Sequence, residues 1–134
     1  MIQIIYGGKG SGKTSRLVQM ANDSEREAKG LHVYVDRSNK RMHDLEHHVR
    51  LVSASDYDVA SADDYRAFIA GILAANYDIE RLYLDGIHKI TSLEADQLEP
   101  LFTRLKDLSE KSGVDMVMIV STETLPAFLA PYAI

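Results

Sequence analysis

Residues 7–14 read Gly7-Gly8-Lys9-Gly10-Ser11-Gly12-Lys13-Thr14 and match the pattern G-x-x-x-x-G-K-[ST] in full. A short apolar run from Gln3 to Tyr6 precedes this loop and a helical pattern follows it, which is the context that a phosphate-binding loop (P-loop, or Walker A) requires. Glycines let the backbone approach phosphate oxygens, and successive N–H groups at the start of the next helix then bind the anion. The stretch therefore predicts a strand–loop–helix unit that cradles a polyphosphate.

Two side chains of the loop have predicted tasks of their own. Lys13 is expected to place its positive charge against the β- and γ-phosphates, which makes it a candidate catalytic residue as well as a binding one. The hydroxyl of Thr14 is expected to ligate Mg²⁺. Lys9 occupies a variable position of the pattern, so its side chain is expected to point to solvent. We therefore predict that Gly7 to Thr14 binds ATP together with Mg²⁺.

An acidic second half of the site is predicted at the end of a buried strand. Leu82-Tyr83-Leu84 is an apolar run, and Asp85 follows it directly. The aspartate is expected to hold Mg²⁺ through a water molecule, as the Walker B aspartate does. The alternative is an ordinary aspartate in the turn that ends a strand.

Strand and helix patterns alternate along the whole chain, which predicts a parallel α/β sheet in a single domain, residues 1–134. Gly30 and Gly113 are expected to end the helices before them. The predicted strands are 3–6, 31–35, 49–53, 81–84 and 116–120. The predicted helices are 14–29, 63–76, 92–111 and a short 125–129, with a further short helix inside the polar segment 37–50.

Composition limits the compartment and the partners. The chain has no cysteine, which excludes disulfides and thiolate metal sites and suits a reducing compartment. The N-terminus lacks the pattern of a signal peptide, and every apolar run is shorter than a membrane helix needs, so a cytoplasmic, non-membrane protein is expected. The net charge of −5 gives no overall basic footprint for nucleic acid. One local patch, Arg37, Lys40, Arg41 and Arg50, leaves a nucleic-acid or protein partner open.

The same residues resemble a known family. Ile5 to Thr14, the helix after them and Gly30 to Asp36 resemble the core of RecA and its KaiC- and DnaB-type relatives. Leu84 to Thr91 resembles the Walker B strand and turn of that group, and Met118 to Thr122 lies where the group carries its sensor strand, beside the P-loop strand. The resemblance implies a minimal P-loop NTPase: a RecA-like three-layer α/β/α sandwich, with a mainly parallel sheet of about five strands and nucleotide at their carboxyl ends.

The chain departs from that family where catalysis is concerned. Ser38 stands where the family has its catalytic glutamate, Gly86 follows the Walker B aspartate where other P-loop ATPases carry one, and Thr122 lies nearest the sensor glutamine. Glu123 is the best substitute base for the attacking water, ahead of Asp36 and His88. Loss of general-base help costs about 10²–10⁴ in rate, so slow or partner-dependent hydrolysis is predicted rather than lost binding.

Other patterns compete with this interpretation. GTP is disfavoured because Asn39-Lys40-Arg41-Met42 lacks the aspartate of the guanine-reading signature. His43-Asp44-Leu45-Glu46-His47 matches the zinc pattern H-x-x-E-H, although a solvated polar segment explains it as well.

The function is expected to be that of an ATP-binding switch or motor part. Alternatives are a small-molecule or nucleoside kinase, a non-catalytic nucleotide-binding module, and a fragment-like twitching-motility or secretion-type ATPase. The outer edge of the first strand is expected to be covered either by residues 131–134 or by a second subunit, since an open edge is a pairing hazard.

Overall fold

The computed structural model describes residues 1–24 and 29–134 of the chain. The strands are β1 Ile2–Gly7, β2 Leu31–Asp36, β3 Val49–Ser53, β4 Ile79–Leu84 and β5 Asp115–Ser121. The α-helices are α1 Lys13–Asp23, α2 Ala62–Ala75, α3 Ile87–Thr91 and α4 Glu99–Ser112. Short 3₁₀ turns lie at Ala54–Tyr57, Ala95–Gln97 and Ala130–Tyr132.

The five strands form one parallel sheet in the order β1-β5-β4-β2-β3. β5 therefore lies between β1 and β4, which confirms the order that the family resemblance implies. Because all strands run the same way, the loops after β1, β2, β4 and β5 meet at one edge of the sheet. The phosphate loop and Asp85 reach the same edge by this route.

Both faces of the sheet are buried, as near-continuous apolar strands require. On one face, α2 and α4 pack against alternate strand residues; this core includes Val33, Val35, Leu82, Leu84, Met116, Met118, Tyr65, Ile69, Leu101 and Leu105. On the other face, α1 covers a smaller core of Ile5, Tyr34, Tyr83, Val117, Ile119, Leu17 and Ala21. The predicted three-layer α/β/α sandwich is confirmed.

Most predicted elements appear within two residues of their expected bounds. β3, the least certain by its pattern, spans Val49–Ser53 as predicted. α2 begins after Ser61, whose hydroxyl accepts a hydrogen bond of 3.0 Å from the Asp64 amide and so caps the helix. The predicted first helix ran to residue 29; α1 extends to Asp23, and residues 25–28 lie outside the described part of the chain.

The predicted helix over 92–111 is wrong over residues 92–98. Ser92 adopts a left-handed backbone (φ 61°) that ends α3, and α4 begins only at Glu99. Pro100 lies in the first turn of α4, where its missing N–H costs nothing, but a helix extended backwards would place its ring against the carbonyl of residue 96. The apolar spacing correctly predicted that one face of the segment is buried. Pro100, however, determines where α4 begins.

Two short predicted helices are also wrong. Residues 125–129 form a single turn around Pro126 and continue as the 3₁₀ turn Ala130–Tyr132. In the segment 37–50, residues 37–48 form successive turns closed by bonds such as Met42 N to Asn39 O, 3.0 Å, instead of a helix, and residues 49–50 begin β3. Prolines and turn-forming polar residues favour these compact turns over helix propagation.

The chain's own tail covers the outer edge of β1. The Ile134 amide donates a hydrogen bond of 2.9 Å to the Ile4 carbonyl, and Ala133 forms a parallel bridge with Ile4. Arg16 of α1 donates to the Ile134 carbonyl at 3.2 Å. Of the two predicted ways to cover this edge, the structure shows the one that uses residues 131–134.

Candidate functional site

The phosphate loop joins β1 to α1 with the backbone that its glycines permit. Gly10 and Gly12 have φ of 78° and 83°, angles that residues with a Cβ rarely adopt. Gly12 is the N-cap of α1, and no described side chain caps this helix end. The first N–H groups of α1 therefore face the loop without a side-chain acceptor, which is the arrangement that binds an anion.

The Lys13 side chain folds back across the loop. Its ammonium donates a hydrogen bond of 2.8 Å to the Gly8 carbonyl and lies 3.5 Å from the Ser11 hydroxyl. A Cβ on Gly7 would collide with the Ser11 side chain, so the loop curves tightly at this point. Lys9 is exposed, as predicted for a variable position of the motif. The loop thus concentrates one lysine charge and several amides in one concavity.

Thr14 and Asp85 meet although they come from α1 and from the end of β4. The Thr14 hydroxyl donates a hydrogen bond of 3.0 Å to Oδ2 of Asp85, whose residue is only 7% exposed. A hydroxyl has one proton and two lone pairs, so a proton given to Asp85 leaves the Thr14 lone pairs for another partner. Such a hydroxyl–carboxylate pair fits Mg²⁺, which binds oxygen ligands.

Asp85 accepts two further hydrogen bonds. The Tyr34 hydroxyl donates to Oδ2 at 2.8 Å, and the Gly86 amide donates to Oδ1 at 2.7 Å. A carboxylate has about four acceptor positions, so these bonds and the one from Thr14 leave one position, on Oδ1. The carboxylate therefore has room for one more donor, such as a metal-bound water, and the indirect contact to Mg²⁺ stays a prediction.

Tyr34 is a functional candidate that sequence reasoning missed. It lies in the middle of β2, is fully buried, and stacks on Tyr83 of β4 with ring centroids 6.3 Å apart. Burial, and then the nearby Asp85 charge, raise the pKa of its hydroxyl far above the ordinary value, so the group stays a proton donor. Its sequence signal was its spacing of two from Asp36, but only the β2–β4 neighbourhood reveals what it contacts.

Asp36, which ends β2, lies beside Asp85. Burial raises the pKa of its carboxyl, and the negative charge of Asp85 raises it further. A Cβ placed on Gly86 would lie 2.8 Å from Oδ1 of Asp36, so the position where other P-loop ATPases carry a glutamate is here approached by the carboxylate of the neighbouring strand. The Arg37 amide holds the same oxygen at 2.7 Å.

Glu123 lies beside the phosphate loop, after the strand between β1 and β4. It follows β5, whose end is tied to the loop by a bond of 3.0 Å from the Thr122 amide to the Gly7 carbonyl. A Cβ on Gly8 would lie 3.3 Å from Oε1 of Glu123, so the exposed carboxylate contacts the cradle itself. Its role as the substitute base for the attacking water stays a prediction.

His88, the other substitute base considered from sequence, has both ring nitrogens engaged. The Ser121 amide donates to Nε2 at 2.9 Å, so Nε2 is an acceptor, and Nδ1 carries the proton it gives to the Leu93 carbonyl at 2.7 Å. The histidine ties the segment after Asp85 to the end of β5. This leaves its ring without a lone pair directed at water.

The remaining sequence candidates do not assemble with this site. His43 and His47 lie in turns rather than on one helix face, and the described residues contain no group of three or more potential metal ligands of the His, Cys, Asp and Glu types. Arg41 pairs with Asp44 at 3.5 Å, while Arg50 lines a groove beside α2 with Phe68. Arg41 and Arg50 of the predicted basic patch therefore have different surroundings. Within residues 1–24 and 29–134, no helix has the length and apolar character to cross a membrane.

Comparisons with known proteins identify the fold. No protein-family model and no curated protein matches the chain. Among solved structures, the flagellar accessory protein FlaH from Methanocaldococcus jannaschii is similar, with a TM-score of 0.60 and 13% sequence identity over 97% of this chain. The match spans 65% of that FlaH chain. At this identity the similarity concerns the fold alone, and the chain has the RecA-like parallel α/β fold.

Proposed function

We propose that this chain binds ATP with Mg²⁺ at the strand ends and is a weak or partner-dependent ATPase that serves as a switch or motor component. The observation that carries the proposal is the 3.0 Å hydrogen bond from Thr14 to Asp85, because it joins the complete phosphate-loop motif to a buried carboxylate. The RecA-like fold supports nucleotide binding in a general way.

The residues present fit the expected ligand. Backbone N–H groups of residues 7–14 would hold the phosphates, and the Lys13 ammonium would exchange the Gly8 carbonyl for a phosphate oxygen. Thr14 and Asp85 would hold the metal, Thr14 directly and Asp85 through water. Bound Mg²⁺ neutralises charge on the β- and γ-phosphates.

Weak hydrolysis is expected from the positions of the two carboxylates near the phosphate loop. Glu123 is exposed beside Gly8, and Asp36 lies beside Asp85 with a raised pKa, but neither occupies the sequence position of a family glutamate. General-base catalysis contributes a factor of about 10²–10⁴ to the rate, and a poorly placed base provides only part of this factor. We therefore expect binding to be strong relative to turnover.

A protein partner would bind the loops at the strand ends, and its binding would depend on which nucleotide the chain holds. His88 links the segment after Asp85 to Ser121 at the end of β5, and Thr122 in turn contacts Gly7. A phosphate that moved one of these loops would displace the others, since switch segments respond to γ-phosphate contacts. A partner-dependent role also suits the fold's similarity to a protein named for an accessory task in the flagellum.

Calorimetric titration tests the proposal. The purified chain is titrated with ATP, ADP and GTP, each with and without Mg²⁺, and phosphate release is then followed over time. We expect ATP and ADP to bind, ATP more tightly with Mg²⁺, and phosphate release to be slow. A folded protein that binds none of these nucleotides would refute the proposal.

A phosphotransferase is the second candidate, because one pocket lies beside the strand ends. Its volume is about 350 Å³, and its lining includes Arg37, Ser55, Asp58 and Lys89. Arg37 directly follows Asp36. An anionic acceptor molecule bound in this pocket would therefore place its hydroxyl group near a carboxylate that can accept the hydroxyl proton. Transfer of labelled γ-phosphate from ATP to nucleosides or small phosphorylated acceptors would favour this candidate over the ATPase.

A further inference from the structure

The strongest unassigned feature is the bond between Tyr34 and Asp85. Tyr34 is fully buried in β2, the strand adjacent to β4, and its hydroxyl donates to Oδ2 of Asp85 at 2.8 Å. The same oxygen accepts the Thr14 proton at 3.0 Å. A tyrosine in the core thus shares one carboxylate oxygen with the residue expected to ligate the metal.

The acceptor count of Asp85 gives this bond a consequence. Both acceptor positions of Oδ2 are filled, one by Tyr34 and one by Thr14, and the Gly86 amide fills one on Oδ1. Without the tyrosine hydroxyl, a buried lone pair of Oδ2 would be open, and only the bonds from Thr14 and Gly86 would orient the carboxylate. Hydrogen bonds that orient a metal-binding carboxylate typically change metal affinity about 10–100-fold.

We propose that Tyr34 is a positioning residue for the metal half of the site: its hydroxyl fixes the Asp85 carboxylate so that Thr14 and the remaining position on Oδ1 face Mg²⁺. The proposal rests on the proposed ATP and Mg²⁺ binding and adds the residue that sets its metal dependence. Tyr34 itself touches neither phosphate nor metal.

The chain offers matched controls for this role. Tyr65 and Tyr83 are buried as completely as Tyr34. The Tyr65 hydroxyl has no hydrogen-bond partner among the described residues, and the Tyr83 hydroxyl bonds to Nδ1 of His32 at 3.0 Å instead of to Asp85. Tyr→Phe at each position removes one buried oxygen, but only Tyr34→Phe removes a bond to the metal-binding carboxylate.

The test compares ATP affinity with millimolar Mg²⁺ and with a chelator in its place, for the wild-type protein and the three variants. Mg²⁺ is expected to increase the ATP affinity of the wild-type protein, and Tyr34→Phe is expected to reduce this increase by about 10–100-fold. The ATP affinity measured with the chelator is expected to stay within about threefold of the wild-type value. Tyr65→Phe and Tyr83→Phe are expected to keep the full gain. In an Asp85→Asn background, Tyr34→Phe is expected to add no further loss, since it acts through that carboxylate.

The wild-type protein gives a second measurement that does not depend on how a variant folds. With an isotope label on tyrosine Cζ, nuclear magnetic resonance is expected to show Mg²⁺ shifting the Tyr34 signal of the ATP-bound protein more than those of Tyr65 and Tyr83. An unshifted Tyr34 signal, or an unchanged Mg²⁺ gain in a folded Tyr34→Phe variant, would overturn the assignment while ATP binding stood. A wild-type protein without nucleotide binding would overturn the proposed function and this inference together.

Discussion

The hydroxyl of Thr14 and the carboxylate of Asp85 lie 3.0 Å apart although 71 positions separate them in the sequence. Thr14 begins α1 after the phosphate loop, and Asp85 follows β4, which is two strands away from β1 in the sheet. The parallel sheet and the phosphate loop together bring them into contact, because the loop after β1 and Asp85 after β4 lie at the same edge of the sheet.

The charge of Lys13 should provide much of the nucleotide affinity. Lys13→Ala is expected to weaken ATP binding by about 10–100-fold, since hydrogen bonds to charged groups contribute about 1.5–3 kcal/mol. The far-ultraviolet circular dichroism should be unchanged, because the side chain contacts only its own loop. Lys9→Ala is the matched control: it removes an exposed lysine from the same loop and should leave affinity nearly unchanged. Equal losses in both variants would indicate general electrostatic attraction instead of a specific contact.

Much of this site could be predicted from the sequence, and the reasons differ by residue. The phosphate loop is a contiguous segment, so its glycines, Lys13 and Thr14 could be identified from one short stretch of sequence. Asp85 was predicted because an apolar strand with a terminal aspartate has a known place in a parallel sheet. Tyr34 could not be predicted, since its role depends on which strand lies next to β2, and the apolar pattern of a buried strand does not specify its neighbour.

The fold was predicted on the same physical grounds, and the errors have local causes. Strands with continuous apolar runs were located within two residues, whereas the helix start near Glu99 was misjudged because Leu93 and Leu98 fit the helical spacing. Pro100 and the left-handed Ser92 decide that boundary. Backbone geometry at one or two residues therefore outweighed a periodicity that extends over a longer segment.

Thr14 and Asp85 should act on Mg²⁺ as a unit. Mg²⁺ is expected to increase ATP affinity. Thr14→Val and Asp85→Asn are each expected to reduce this increase by about 10–100-fold. The double variant should lose less than the sum of the two free-energy changes, because the residues share a bond. The control is Thr103→Val, which alters an exposed threonine of α4 away from the strand ends. Additive losses, or an unchanged metal response in Asp85→Asn, would show that another acidic residue holds the metal.

Asp36 should lower stability at neutral pH. Burial and the Asp85 charge raise its pKa in the folded protein above the unfolded value of 3.8. The folded state then binds more protons between these two pKa values, so the free energy of unfolding falls as pH rises through that window. Asp36→Asn is expected to unfold at a higher temperature than the wild-type protein at pH 7.

The stabilisation by Asp36→Asn should shrink as the pH falls and disappear below about pH 3.8, where the aspartate is protonated in both states. Thermal unfolding followed across this pH range measures the difference. An Asp36→Asn variant less stable than wild type at pH 7 would mean that the ionised carboxylate is stabilised by its neighbours after all.

Hydrolysis should be slow, and Glu123 should account for part of it. The wild-type protein alone is expected to release phosphate at less than about one per second, near or below the low end of ordinary enzymes. Glu123→Gln is expected to lower the single-turnover rate by less than about 10²-fold, because a poorly placed base supplies only part of the general-base contribution, with ATP affinity largely kept. Glu110→Gln, on the exposed face of α4, is the control. Turnover of several per second without a partner, or a Glu123→Gln variant as fast as wild type, would contradict this expectation.

The most direct test of the central claim is a crystal structure grown with a non-hydrolysable ATP analogue and Mn²⁺, whose anomalous scattering locates the metal. The account predicts phosphates against the amides of residues 7–14, the Lys13 ammonium turned from the Gly8 carbonyl to a phosphate oxygen, and the metal bound by Thr14 and linked to Asp85 through water. Nucleotide and metal bound elsewhere, with the Thr14–Asp85 pair untouched, would contradict it.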